Sequence, residues 1–191
     1  MGSVKTVSRT ACTIIVGLFV AACSSSTEVV VVPAEPTRAH YQVAFPSVNV
    51  AATTETMQVF VFDATNGTKN GTDCLTLITK RRSGGDLPSD ALKLFESEPT
   101  PPCDLLATTG ASDKAEPLAG KKGVVVTGYG ARSFLVVTRR AGSDYFLGCT
   151  AREITSADTT VEVALSPANA TISVPTSTCA TLSSKCAAQC M

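Results

Sequence analysis

The 191-residue chain has no tryptophan and a single histidine, His40, and only 5% of its residues are aromatic. So few rings leave little to stack on bases or sugars, and few of the large anchors that dominate protein interfaces. One histidine rules out most histidine general-base arrangements and any histidine-rich zinc site; a lone histidine beside a domain entrance reads as a solvated side chain. Sixteen basic residues balance sixteen acidic ones, so no global basic field exists to draw in nucleic acid. No apolar run approaches the roughly 20 residues that a membrane-crossing helix needs. Neither Ser-x-x-Lys nor Gly-x-Ser-x-Gly occurs, which removes two common settings for a serine nucleophile. Gly128-Tyr129-Gly130 begins like a nucleotide-binding loop, but Ser133 stands where the third glycine belongs. The residues after it are β-rich, so the glycines read as a turn between strands.

What is present begins at the N-terminus. Lys5 and Arg9 form a basic start, Ala11 to Val20 an apolar stretch, and Val20-Ala21-Ala22 places small residues directly before Cys23, with Ser24-Ser25-Ser26-Thr27 following. This is the layout of an export signal. Val20-Ala21-Ala22-Cys23 resembles the lipobox of bacterial lipoproteins. The resemblance implies cleavage before Cys23, loss of residues 1–22, and a diacylglycerol thioether and an amide-linked acyl chain on Cys23. Each buried CH₂ contributes about 0.8 kcal/mol, so several chains hold a protein on its membrane almost permanently. Within that family an Asp after the cysteine favours the inner membrane; Ser24 implies the outer one. Residues 23–39 then read as a lipidated start and flexible tether, interrupted by Pro33 and Pro36, with a reach of roughly 20 Å. Val29 to Val32 is either an exposed β-prone run within it or an edge strand docked on the domain.

Of eight cysteines, Cys12 lies in the segment to be removed and Cys23 is the lipidation residue. Cys74, Cys103, Cys149, Cys179, Cys186 and Cys190 remain. An export signal with an even remainder predicts up to three disulfides in an oxidising compartment. Spacing suggests Cys74 with Cys103, bracketing an insertion. It also suggests separate partners for Cys186 and Cys190, with Cys149 a candidate for one of them. Cys179-x₆-Cys186-x₃-Cys190 does not have usual zinc-knuckle spacing, and no metal or cofactor is expected.

From residue 40 the dominant period is two. Tyr41 to Phe45, Met57 to Phe62, Val124 to Thr127, Ser133 to Thr138, Tyr145 to Cys149, Thr160 to Leu165 and Thr171 to Val174 read as seven strands. Those at 133–138 and 145–149 form a hairpin, with Gly-Ser-Asp at 142–144 as its turn chemistry. Residues 64–120 break the rhythm and are expected as an insertion. Within it two Asn-Gly turns precede a helix over Thr72 to Arg82, which carries Cys74, Leu77, Ile78 and Arg81 on one face and ends at Gly84-Gly85. Ser89 to Ser97 is a second helix or a strand, and "PTPPCDLL" a loop. The predicted class is mainly β: an antiparallel β-sandwich over 40–175, with one or two short helices in the insertion and a cysteine-rich tail over 176–191. This layout is loosely similar to transthyretin-like and carboxypeptidase-regulatory-like domains.

Glu96, Glu98 and Asp63 are acidic groups with no second feature to position them. Lys80-Arg81-Arg82, Lys121-Lys122 and Arg139-Arg140 are short basic clusters that read as solvated charges. The expected function is therefore a non-catalytic binding, adhesion or assembly module of the cell envelope, attached through Cys23 and meeting an envelope protein or glycan. The alternatives are an envelope hydrolase using an Asp/Glu pair and a secreted, disulfide-rich inhibitor-like module.

Overall fold

Alternating apolar side chains build two sheets in the computed structural model, which describes residues 38–103, 123–156 and 159–190. β1 (Arg38–Ala44) lies between β4 (Gly123–Val126), antiparallel to it, and β7 (Thr160–Ala164), parallel to it. The larger sheet has the order β3-β2-β5-β6-β8, with β2 at Thr56–Asp63, β3 at Lys93–Glu96, β5 at Gly130–Arg140, β6 at Ser143–Ile154 and β8 at Ser166–Pro167. Every pair in it is antiparallel. The fold is thus mainly β, as the patterning predicts, and the parallel β1–β7 pair is the departure from a wholly antiparallel arrangement.

The inner faces of the two sheets share one core. Val59, Val61, Phe134, Val136 and Phe146 meet Ala39, Tyr41, Val43, Val161 and Val163. At Gly148 the sheets approach closely: a Cβ there would lie 2.3 Å from the carbonyl oxygen of Ala164. The larger sheet is covered on its outer face as well, which explains why Met57 to Phe62 is apolar at both parities. Phe60, Phe62, Leu135, Val137 and Leu147 pack with Leu77 of the helix α3 (Cys74–Arg82) in a second core. Burying a leucine completely, as Leu77 is, contributes about 1.5–3 kcal/mol.

α3 follows its sequence signals closely. The Asp73 carboxylate accepts from the Thr76 amide at 3.0 Å as the N-cap. At the other end Gly84, at φ +70°, and Gly85 donate to the carbonyls of Arg81 and Lys80, the paired bonds of a Schellman motif. Two shorter helices go beyond the sequence expectation: α1 (Val48–Thr53), capped by Ser47, and α2 (Gly67–Asn70), which replaces the first Asn-Gly turn. The second Asn-Gly pair serves as α2's C-terminus, with Gly71 at φ +69°.

Several boundaries differ from the sequence reading. Arg38 and Ala39, assigned to the tether, begin β1. The signal peptide, Cys23 and Val29–Val32 lie outside the described residues. Ser89 to Ser97 is both of its alternatives in turn, a 3-10 helix at Asp90–Leu92 and then β3, so part of the insertion belongs to the sheet. The proline-rich loop ends early: Pro102 and Cys103 are already helical, proline being tolerated in a first turn. Thr171 to Val174 forms no ladder, because the Asn169 side chain captures the Thr171 amide and hydroxyl at 3.0 and 2.7 Å. The hairpin turns at Ala141-Gly142, both with positive φ, rather than at 142–144.

The six cysteines after Cys23 pair as Cys74–Cys149, Cys103–Cys186 and Cys179–Cys190, with Cα–Cα separations of 5.4, 5.3 and 5.3 Å. The expected Cys74–Cys103 bond is not formed. Cys74 opens α3 over the outer face, where Cys149 of β6 lies, whereas Cys103 follows a bridge from Thr100 to Met57 at the start of β2. The tail helix α4 (Leu182–Cys186) docks at that end through Lys185 Nζ, which donates to the Thr54 carbonyl at 3.0 Å. Cys186 and Cys190 do have separate partners, but neither is Cys149. With Leu182 in the inner core, the tail is part of the domain.

Candidate functional site: a charged cleft beside the hairpin

Among the described residues, a cleft of about 520 Å³ with convergent polar groups lies between the C-terminal end of α3, the Gly84–Lys93 segment and the end of β2 and β5 at Gln58 and Arg139. Three elements supply its charges. Arg81, on the α3 face that carries Leu77, donates through Nε and Nη2 to the two Asp144 oxygens at 2.6 and 2.9 Å. Arg139 Nε lies 3.6 Å from Asp144. Opposite them, Lys93 bonds Asp90 at 2.7 Å and also Glu96, while Gln58 Nε2 donates to Glu96 Oε1 at 2.8 Å.

Asp144 reaches this cleft because of a register shift. Leu147 faces outward, so strict alternation would send Asp144 inward; the β5–β6 ladder instead slips between Val137 and Arg139. A bulge of this kind re-aims the side chains beyond it. The buried Thr138 hydroxyl takes up the slack, accepting from the Phe146 amide at 2.9 Å and donating to the Phe146 carbonyl at 3.1 Å. Tyr145 and Phe146 consequently both turn into the inner core. Sequence reasoning singles out Glu96, Arg139-Arg140 and Arg81, the last on a helix face and in a basic cluster, but misses Asp144 as a site group.

The cleft is a set of mutually engaged charges. Paired hydrogen bonds from arginine to a carboxylate are among the strongest a side chain makes, and here they also fasten α3 to the hairpin. The Lys93 ammonium holds Asp90 below the ordinary carboxylate range, and Asp90 with Glu96 raises Lys93. A ligand entering the cleft exchanges these partners for its own, which suits recognition of a group bearing both charge signs.

The other expected residues are scattered. Asp63 sits at the end of β2, where hydrogen bonds from Thr65, and then Arg132 at 3.6 Å, lower its carboxyl. Glu98 accepts from Ser97 and Thr100 through its backbone carbonyl. His40 lies within β1 rather than in solvent: its amide donates to Thr159, and its buried Nδ1 has no hydrogen-bond partner. Gly128-Tyr129-Gly130 is a turn between β4 and β5, as read from the sequence. The Arg132 guanidinium fills it, and a Cβ at Gly130 would come within 3.2 Å of Nη1. No cluster of three or more metal-ligating side chains occurs among the described residues.

No protein-family model, curated protein or solved structure matches the chain.

Proposed function

We propose that the chain is an envelope-anchored lipoprotein whose disulfide-pinned domain is a non-catalytic binding module. On this reading residues 1–22 are removed, Cys23 is lipidated, and the domain stands on the outer membrane at the end of its tether. The observation that supports it best is cysteine parity. Cys74, Cys103, Cys149, Cys179, Cys186 and Cys190 are consumed in three bonds, so Cys23 is the odd thiol once Cys12 leaves with the signal. Three disulfides also fit an oxidising compartment. The binding role is supported by the cleft, where Arg81 and Arg139 engage Asp144 and Lys93 and Gln58 engage Glu96.

Mass spectrometry of the membrane fraction tests the anchor. The expected N-terminal peptide begins at an acylated Cys23, and Cys23→Ser leaves the protein unacylated and out of that fraction. An intact Met1, or an unmodified Cys23 in wild-type protein, overturns the reading. The hydrolase alternative draws on Glu96 and Asp144 sharing one cleft; it requires glycan-cleaving activity that Glu96→Gln and Asp144→Asn abolish.

A further inference from the structure

β5 accompanies β6 from Ser143 to Ile154, but on the opposite edge β8 pairs only with Phe146 and Leu147. At that edge the Tyr145 carbonyl accepts from the Ala168 amide and the Leu147 carbonyl from Ser166 Oγ. Backbone polar groups turn to the two edges of a strand in alternation, so Cys149, Ala151 and Glu153 present their N–H and C=O groups on the same side. Among the described residues nothing pairs with them. β7, which precedes β8 in the chain, joins β1 instead of continuing this ladder, and Thr150 Oγ1 donates to its Glu162 carbonyl at 2.8 Å. Residues 151–153 are exposed.

The outer face beside this free edge is hollow. Ala151 stands opposite Ser133 and Glu153 opposite Ala131. With Ala64 they line a recess of about 300 Å³ that extends to Asp73 and to Gly67 and Thr68 of α2. Farther along the same face Leu135, Val137 and Leu147 fill the equivalent space under Leu77. Arg132 and Arg152 line the recess together with Asp73 and Glu153, so it favours neither sign of charge and suits a neutral side chain. The Arg152 and Glu153 side chains have no ion-pair or hydrogen-bond partner among the described residues.

An exposed edge with unpaired backbone groups is a template for another strand. Strand addition draws affinity from main-chain hydrogen bonds and selectivity from pockets that take alternate side chains, and here edge and pocket adjoin. We propose that β6 receives an extended segment of a partner protein, antiparallel, along Cys149 to Glu153. The partner residue opposite Ala151 carries its Cβ about 4.5–5.5 Å from that of Ala151, on the recess side, and is a medium aliphatic residue. The residue before it lies opposite Arg152 and is acidic, and the one before that lies opposite Glu153 and is basic, because opposite charges stabilise directly facing positions. A second copy of this chain matches less well. Two-fold pairing centred on Ala151 sets Cys149 against Glu153 and leaves both charges unmatched, and pairing centred on Arg152 sets arginine against arginine. This surface is separate from the cleft at Arg81 and Asp144 and does not depend on the membrane anchor.

Titration of the ¹⁵N-labelled full chain with the peptide acetyl-Thr-Lys-Glu-Val-Thr-Val-Thr-amide tests the surface. The expected result is saturable shifts of the Ala151 and Glu153 amides, weakened roughly tenfold or more when the amide of the first valine is N-methylated. Arg152→Glu changes an exposed side chain and leaves the fold intact. It should reverse the charge preference, binding acetyl-Thr-Lys-Lys-Val-Thr-Val-Thr-amide more tightly than the first peptide, whereas wild type prefers the first. No saturation, equal binding of the N-methylated peptide, or the same preference in wild type and Arg152→Glu overturns the proposal. Concentration-dependent shifts of the same amides without peptide, with a matching dimer in sedimentation, assign the edge to a second copy and overturn it too.

Discussion

Gly148 shows how one residue can fix the distance between layers. Its missing side chain lets β6 approach the carbonyl of Ala164, where a Cβ would sit at 2.3 Å, with Val163 Cγ1 at 2.9 Å. Backbone cannot rotate aside as a flexible side chain can, so Gly148→Ala forces the sheets apart. A loss of about 1–3 kcal/mol is expected, read as a lower urea midpoint with unchanged slope; wild-type stability would refute the close approach. Thr138→Val keeps shape but strips the hydroxyl from both polar groups of Phe146, and the cost of leaving them unpaired is again about 1–3 kcal/mol. Asp73 adds a pH dependence. Its carboxyl is lowered from 3.8 by the bonds from Thr76, so the cap's contribution is complete above that ordinary value and is lost as pH falls through the lower folded one. Asp73→Asn should flatten this acid-side decline, and Asp73→Ala should cost about 1 kcal/mol at neutral pH. Chemical denaturation between roughly pH 2 and 7 measures both.

At the level of elements, α3 is the most legible part of the chain, because its cues are local. Cap, helical spacing and terminal glycines lie within a short stretch of sequence, and Cys74, Leu77, Ile78 and Arg81 do share the face that meets the sheet. The partner of that face is not legible: Cys149 is 75 residues away from Cys74 in sequence, and nothing in either neighbourhood names the other. The Cys74–Cys149 bond and the Arg81–Asp144 pair both tie α3 to β6. Replacing both cysteines with alanine should cost about 4 kcal/mol in the chain-entropy model, since the closed loop is long; removing Cys179–Cys190, whose partners are 11 residues apart, should cost about 3 kcal/mol. Equal effects in thermal unfolding would argue that local strain rather than loop closure decides. The charged cleft depends on the same tie, so the Cys74/Cys149 variant should also weaken any ligand held by Arg81.

Across the whole domain, stability should follow burial on two faces. β2 and β5 lie between the inner core and the layer made by α3, and residues 57–62 and 133–138 are all buried. Native-state hydrogen exchange should therefore be slowest there and fastest in α2 and β8, which contain no buried residue. Uniform protection would contradict the layered arrangement. The tail contributes at this scale too: Leu182 joins the inner core and two disulfides secure residues 179–190. Cysteine count alone presents the tail as an appendage, since a short polar segment with three cysteines carries no sign of where it docks.

The sequence by itself determined the β class, the main strands, the α3 helix with its glycine end, and the even set of six cysteines, because periodicity, terminal glycines and counts are local or compositional properties. Only the tertiary structure decided the disulfide map, the parallel β1–β7 pair, the shift that carries Asp144 into the cleft, and the recess at Ser133. Each of these joins residues far apart in the chain, and such contacts follow from how two layers of side chains fill the same space rather than from any pattern along one strand.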